Sequence, residues 1–184
     1  MIVPYKKIPT WDNGTWTTTT FNSQKEFGNF LLGECFKEPG EYEFNESTKA
    51  WNQVGKYFED NQTYTHFPEN SLDYEDFWDQ EELKNRLGVI WKDGKHIWYL
   101  TRDYYFFLNY CPVTNKEKGQ TETFISIRDV QYHMALYEKI AELKHLHSVI
   151  LKRRQMLFSN QHVAKSINFL WFENKKTIKW FASD

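Results

Sequence analysis

Three successive cations, Lys152, Arg153 and Arg154, follow the apolar stretch "HSVIL" and stand a few residues ahead of a hydroxyl at Ser159. That combination suits a phosphate site, which needs backbone N–H groups converging at a helix N-terminus, a nearby cation and a hydroxyl to hold Mg²⁺. The cations and the hydroxyl are present, and "QHVAKSINFLWFENK" starts a helical pattern directly after them. Glycine is missing. Leu157 and Phe158 occupy the places where the usual G-x-x-x-x-G-K-[ST] loop has Gly and Lys. On spacing alone two readings stand side by side, a phosphate loop and a basic surface turn between a strand and a helix.

A second group with chemical potential lies upstream. Residues 69–87, "ENSLDYEDFWDQEELKNRL", gather seven carboxylates around Tyr74, Phe77 and Trp78. Paired carboxylates serve as metal ligands or as acid and base, but blocks of charge flanking an aromatic stripe read first as a solvated helix face. Cys35 and Cys111 are the only cysteines, with 75 residues between them and no clustered Cys/His pattern. The expectation is a reducing compartment, with neither a disulfide framework nor a structural zinc.

The elements that must position these residues follow from periodicity. Residues 1–40 read as a loosely ordered arm in which "TWTTTTF" forms one strand. In "STKAWNQVGKYFEDN", Trp51, Val54, Tyr57 and Phe58 recur at helical spacing behind a Ser47 cap. "GVIWKDGKHIWYLT" reads as a hairpin turning at Asp93-Gly94, and "RDYYFFLNYCPV" as a buried helix or turn against it. Residues 115–123 are polar, contain Gly119 and make the candidate linker. "IRDVQYHMALYEKIAELKHL" spans about five helical turns, with Val130, Met134, Leu136, Tyr137, Ile140 and Leu143 on or near one face. "HSVILKR" then reads as a buried parallel strand, "RQMLFSN" as a loop and "TIKWFAS" as a second strand, which makes one βαβ unit. Two parallel strands cannot bury both faces of a sheet, so a three-layer domain ending there is incomplete.

Bulk properties agree with a folded chain. Of 184 residues, 40% are hydrophobic and 18% aromatic, a composition that excludes a disordered class. Charge is divided unevenly: residues 1–103 carry 11 Lys/Arg against 18 Asp/Glu, and residues 104–184 carry 12 against 7. The two parts are expected to meet different partners. No apolar leader follows Met1 and no run of about 18 apolar residues is present, so the expectation is a soluble protein without a membrane partner.

The order "FWDQEELKNRLGVIWKDGKHIWYLTRDYYFFLNYCPV", then "FISIRDVQYHMALYEKI", then "VILKRRQMLFSNQHVAK" resembles the N-terminal portion of the large terminase subunit of tailed bacteriophages, in the form found in phages of Bacteroides-type hosts, the crAss-like group among them. The likeness runs from about Glu41 to Asp184. It implies an α/β chain: an α+β accessory region over 41–120, then the opening βαβ unit of an ASCE-type P-loop ATPase over 121–184, with its sheet incomplete. It implies ATP and Mg²⁺ as cofactors, double-stranded viral DNA, the portal protein and the small terminase subunit as partners, and the host cytoplasm as location.

In this family Gln131 falls at the adenine-contacting Q-motif. A deviant Walker A of the form K-x-x-[RQ]-x-G-[FY]-[ST] then falls on "KRRQMLFS". Lys152 is its lysine, Gln155 its Arg/Gln position, Phe158 its aromatic and Ser159 its Mg²⁺ hydroxyl, with Arg153, Arg154, Met156 and Asn160 completing the loop. Leu157 departs from the pattern, which has glycine there. A leucine in a left-handed conformation costs about 1 kcal/mol or more and puts a side chain on the approach to the phosphates. The family's Walker B carboxylates, catalytic glutamate and nuclease acidic cluster would lie beyond Asp184, so no catalytic residue is expected within these residues and this chain alone is not expected to hydrolyse ATP. The alternative is a non-catalytic phage binding protein that keeps the terminase N-terminal fold to contact DNA, portal or motor.

Overall fold

The first strands are set by alternation and by an Asn-Gly turn. Strand β1 (Lys6–Asp12) buries Ile8 and Thr10 while Lys7 stays exposed, and it pairs antiparallel with β2 (Thr15–Phe21). Asn13 and Gly14 join them, both with positive φ (45° and 98°), as a two-residue primed turn requires. This computed structural model describes residues 5–44, 51–94, 96–115, 121–151 and 157–173.

β1 is not part of a loose arm. It lies inside a four-stranded mixed sheet of order β2-β1-β3-β4, where β3 is Val89–Asp93 and β4 is His96–Leu100. The β1–β3 pair is parallel, and its register starts at Thr10↔Ile90. Pro9, which has no N–H to give, sits one residue ahead of that start. β3 and β4 form the expected hairpin, closing at Asp93↔His96 with Gly94 at φ 59°. Buried Thr10 is satisfied locally: its hydroxyl donates to the Ile8 carbonyl at 3.0 Å and accepts from the Thr19 N–H at 3.1 Å.

Helices cover this sheet, and their caps are legible. α1 (Gln24–Phe30) starts at Ser23, whose hydroxyl accepts from the Glu26 N–H, and it runs on into a π-helical turn at Leu31–Cys35. α2 (Gln53–Asn61) carries the expected helical spacing; Ser47 lies outside the described residues. α3 (Leu72–Leu87) starts at Ser71, which caps the Tyr74 N–H. α4 (Arg102–Tyr110) starts at Thr101 and is buried from Asp103 to Asn109, so "DYYFFLN" is the central helix of the core.

Past α4 the structure departs from the expected linker. β5 (Val113–Asn115) and β6 (Thr121–Thr123) pair as a small antiparallel ribbon. The core then continues without a break into α5 (Asp129–Leu143) and α6 (Phe158–Phe172): Ile125, Tyr132, Leu136 and Ala164 belong to the same cluster as Ile8, Ile90 and Phe107. Among the described residues, one core cluster thus includes side chains from both sides of position 120.

α5 buries Met134 and Leu136 of the expected face, with Ile140 and Leu143 packed against the core, and departs from it at two positions. Tyr132, Met134, Ala135 and Leu136 are buried, while Val130 and Tyr137 are 41% and 40% exposed. Tyr132 decides the orientation, because its hydroxyl accepts from the Tyr99 backbone N–H in the sheet at 2.9 Å and its ring meets Tyr42 edge-on. The expected strand over 147–153 is also different. Residues 147–151 form no strand, with Val149 81% and Leu151 96% exposed. A β-branched apolar run becomes a strand only where an edge receives it, and neither β2 nor β4 does so here. "TIKWFAS" lies outside the described residues.

Candidate functional site

The site is built at the start of α6. Leu157 is the N-cap residue, with φ 56° and ψ 12°, and its side chain packs partly against the core. It is a left-handed residue where most side chains are strained. Its carbonyl accepts from the Gln161 N–H at 3.0 Å, so the helix is hydrogen-bonded from its first turn. Among the described residues no side chain caps this helix, and no acidic residue stands in its first turn. An N-terminus of that kind carries partial positive charge and undonated N–H groups. Phe158 is buried as an anchor, which leaves Ser159 and Asn160 exposed beside the helix start.

Gln131 is brought to this helix. Gln161 donates from Nε2 to the Gln131 carbonyl at 3.2 Å, which joins the first turns of α5 and α6. The Gln131 side chain is 1% exposed, so it is enclosed by the fold and does not face solvent. Lys152, Arg153, Arg154, Gln155 and Met156 lie outside the described residues. The structure thus joins Gln131, Leu157, Phe158, Ser159 and Asn160 at one helix junction.

Fit to a nucleotide divides at this junction. At the phosphate end the described features are a left-handed residue leading into the helix start and an exposed Ser159 in its first turn. The adenine end does not fit in this arrangement, because Gln131 is enclosed. Among the described residues no group of three or more His, Cys, Asp and Glu side chains is placed to hold a metal ion. Ser159 is therefore the one expected Mg²⁺ contact with a described position.

Sequence reasoning missed the cluster that clamps α6 to α5. Glu138 accepts from His162 Nε2 at 2.9 Å and from Lys165 Nζ at 2.7 Å, and His162 Nδ1 lies 2.9 Å from the Phe158 carbonyl. Burial pushes the Glu138 carboxyl up, but its bonds to His162 and Lys165 outweigh that and bring it below the ordinary range. The Glu138 hydrogen bond raises His162 above its usual value against partial burial. The i, i+3 spacing of His162 and Lys165 was the only available signal, and it does not name a partner 24 residues away.

A pH effect follows. A histidine whose folded pKa is raised adds stability that is complete below its unfolded value near 6.5 and is lost as pH climbs through the folded value. Denaturant midpoints of the native chain and of His162→Gln should therefore converge as pH rises from about 5.5 to 8.5, with the native chain ahead only at the acid end. Parallel midpoints across that range would remove the charged His162–Glu138 clamp.

Elsewhere the acidic helix α3 is mostly solvated as expected, except that Glu81 is buried and bonded to Lys84, Tyr105 and Tyr110. Among the described residues no helix is long and apolar enough to cross a membrane. Comparison with protein-family models, curated proteins and solved structures finds no match.

Proposed function

We propose that this chain is the front part of a phage DNA-packaging ATPase of the large-terminase kind, and that the start of α6 is its nucleotide-phosphate site. The observation that carries the reading is the left-handed Leu157 at the head of α6. The family pattern puts glycine at this position, and a positive φ is what glycine provides there. On this reading the backbone would keep the turn that the pattern asks for while leucine stands in place of glycine. The bare apolar run at 147–151 supports the same reading, since a strand of a parallel sheet is apolar on both faces and needs neighbours on each side.

On this reading Lys152 and the α6 N–H groups hold the phosphates, and Ser159 contributes its hydroxyl to Mg²⁺. The cation would screen phosphate charge during transfer. The residues after position 103 carry the positive balance that suits duplex DNA, with portal and small subunit as further partners. The accessory role without hydrolysis is favoured by Leu157 itself, because a loop released from catalysis is free to lose its glycine.

Leu157→Gly is the direct test. It relieves about 1 kcal/mol of backbone strain and clears the approach, so the affinity for a fluorescent ATP analogue with Mg²⁺ should rise about fivefold or more. Lys152→Ala should reverse the gain. An unchanged affinity in Leu157→Gly, or indifference to Lys152→Ala, would sink the phosphate-loop assignment.

A further inference from the structure

A mostly apolar cavity of about 520 Å³ lies where α3, α4 and α6 meet. Its wall is a chain of aromatic rings in which each meets the next. Trp78 meets Tyr64 edge-on at 5.9 Å between centroids, Tyr64 lies 5.2 Å from Tyr110, and Tyr110 stacks on Phe106 at 5.6 Å. Phe106 then meets Trp171 and Phe172 edge-on, each at 6.2 Å. Trp171 is 71% exposed, so a large ring of this wall is left in water. A cavity of this size with aromatic walls has the make-up of a small-molecule site.

One buried polar atom of this lining has no partner. Asn85 lines the cavity and is 3% exposed, yet its Oδ1 accepts no hydrogen bond among the described residues. The amide cannot be turned over to cure this, because Nδ2 donates to the Glu81 carbonyl at 2.9 Å and a flip would set oxygen against oxygen. A buried acceptor without a donor is unfavourable, and such an atom marks a place for one. The ionisable groups of the lining are paired or neutral. Glu81 accepts from Lys84, Tyr105 and Tyr110, and Glu82 pairs with Arg86 at 2.6 Å. Burial raises the Tyr64 phenol and pushes the Cys111 thiol up to about 12, so both are uncharged at neutral pH. No Lys, Arg or His stands among the described residues of the lining, so no charge of either sign is left over for an ion.

We infer that this cavity binds a neutral, planar aromatic molecule with one N–H or O–H donor, of the indole or phenol class, and that the donor bonds to Asn85 Oδ1. The rings offer faces and edges to such a plate, and the unpartnered oxygen sets which way round it lies. A charged ligand would find no counter-charge here, and a ligand without a donor would leave Asn85 as it stands. The α6 residues of the site are Ile167, Trp171 and Phe172, in the last turns of the helix and away from Ser159. The inference stands whether or not the nucleotide reading does.

Indole titrated into the full 184-residue chain, followed by calorimetry and by amide shifts, tests this. The expected result is saturable binding with a Kd of about 1 mM or tighter, as suits so small a ligand, with shifts around Asn85, Phe106 and Ile167. Benzofuran has the same outline with an ether oxygen in place of the N–H, and should bind roughly three- to tenfold more weakly. Asn85→Leu should bring the two compounds level; if that variant fails to fold, the comparison of compounds on the native chain decides alone. Trp171→Ala removes an exposed ring of the wall and should weaken both compounds about threefold or more. Absence of saturation at about 5 mM, or an unchanged affinity in Trp171→Ala, overturns the assignment. So does equal binding of indole and benzofuran by the native chain, since water alone would then satisfy Asn85. None of these readouts involves Lys152 or Leu157, so failure here and failure of the nucleotide site are read separately.

Discussion

Gly88→Ala is expected to lower the stability of the fold by about 4 kcal/mol. Gly88 ends α3 and turns the chain into β3 at φ 81° and ψ −175°, a conformation that essentially only glycine holds. A Cβ there would stand 2.4 Å from the Leu100 carbonyl oxygen and 2.7 Å from the Tyr99 hydroxyl. The first is backbone in the β4 strand, so relief requires moving the hairpin itself. Strain of roughly 1–3 kcal/mol from the conformation adds to roughly 1–3 kcal/mol from overpacking. Against a total of roughly 5–15 kcal/mol for an ordinary domain, the loss is severe. Urea unfolding followed by far-UV circular dichroism measures it, and a change below about 1 kcal/mol would contradict the geometry. Gly94→Ala, at a turn with open space around it, is the control that separates φ strain from collision.

Glu81→Leu is expected to cost roughly 3–5 kcal/mol, while Lys84→Met costs much less. The Glu81 carboxylate is buried and receives Lys84 Nζ at 2.6 Å, the Tyr105 hydroxyl at 2.8 Å and the Tyr110 hydroxyl at 2.7 Å. Burial first, and then the Glu81 charge, hold both phenols well above their usual range, so they stay donors at every ordinary pH. Leucine would leave a buried ammonium and two hydroxyls without acceptors. Methionine at 84 removes one donor but leaves the carboxylate with two. The order of the two midpoints is the measurement, and Lys84→Met proving the worse of the pair would refute this account of the network.

These two residues also show what could be read in advance. The Asp93-Gly94 hairpin and the buried block after Arg102 were legible because turn chemistry and a dense apolar run are local signals. Asn13-Gly14 is an equally strong local signal, yet Thr-rich β2 hid it: Thr15, Trp16, Thr17, Thr18 and Thr20 are exposed on a strand that shows no alternation. Glu81 stood in a run of carboxylates, and only the hydroxyls of Tyr105 and Tyr110, far along the chain, mark it as the buried one. Residues 147–151 carried the composition of a strand, but composition does not supply an edge to pair with. At the candidate site, the pattern around Ser159 was visible in sequence, whereas the enclosure of Gln131 under Gln161 depends on a contact between two helices.

The parallel pairing of Thr10 with Ile90 has a temporal meaning during synthesis. The N-terminal ribbon leaves the ribosome long before the strand that completes it. At roughly 5–20 residues per second, the interval is on the order of ten seconds. Throughout that time β1 offers an open row of amides and carbonyls to any extended neighbour, in the same polysome or on a chaperone. Loop closure over so long a separation is slow compared with forming a hairpin. The nascent chain is most vulnerable to mispairing in that window, and the yield of folded protein should depend on translation speed between Phe21 and Val89 more than anywhere later.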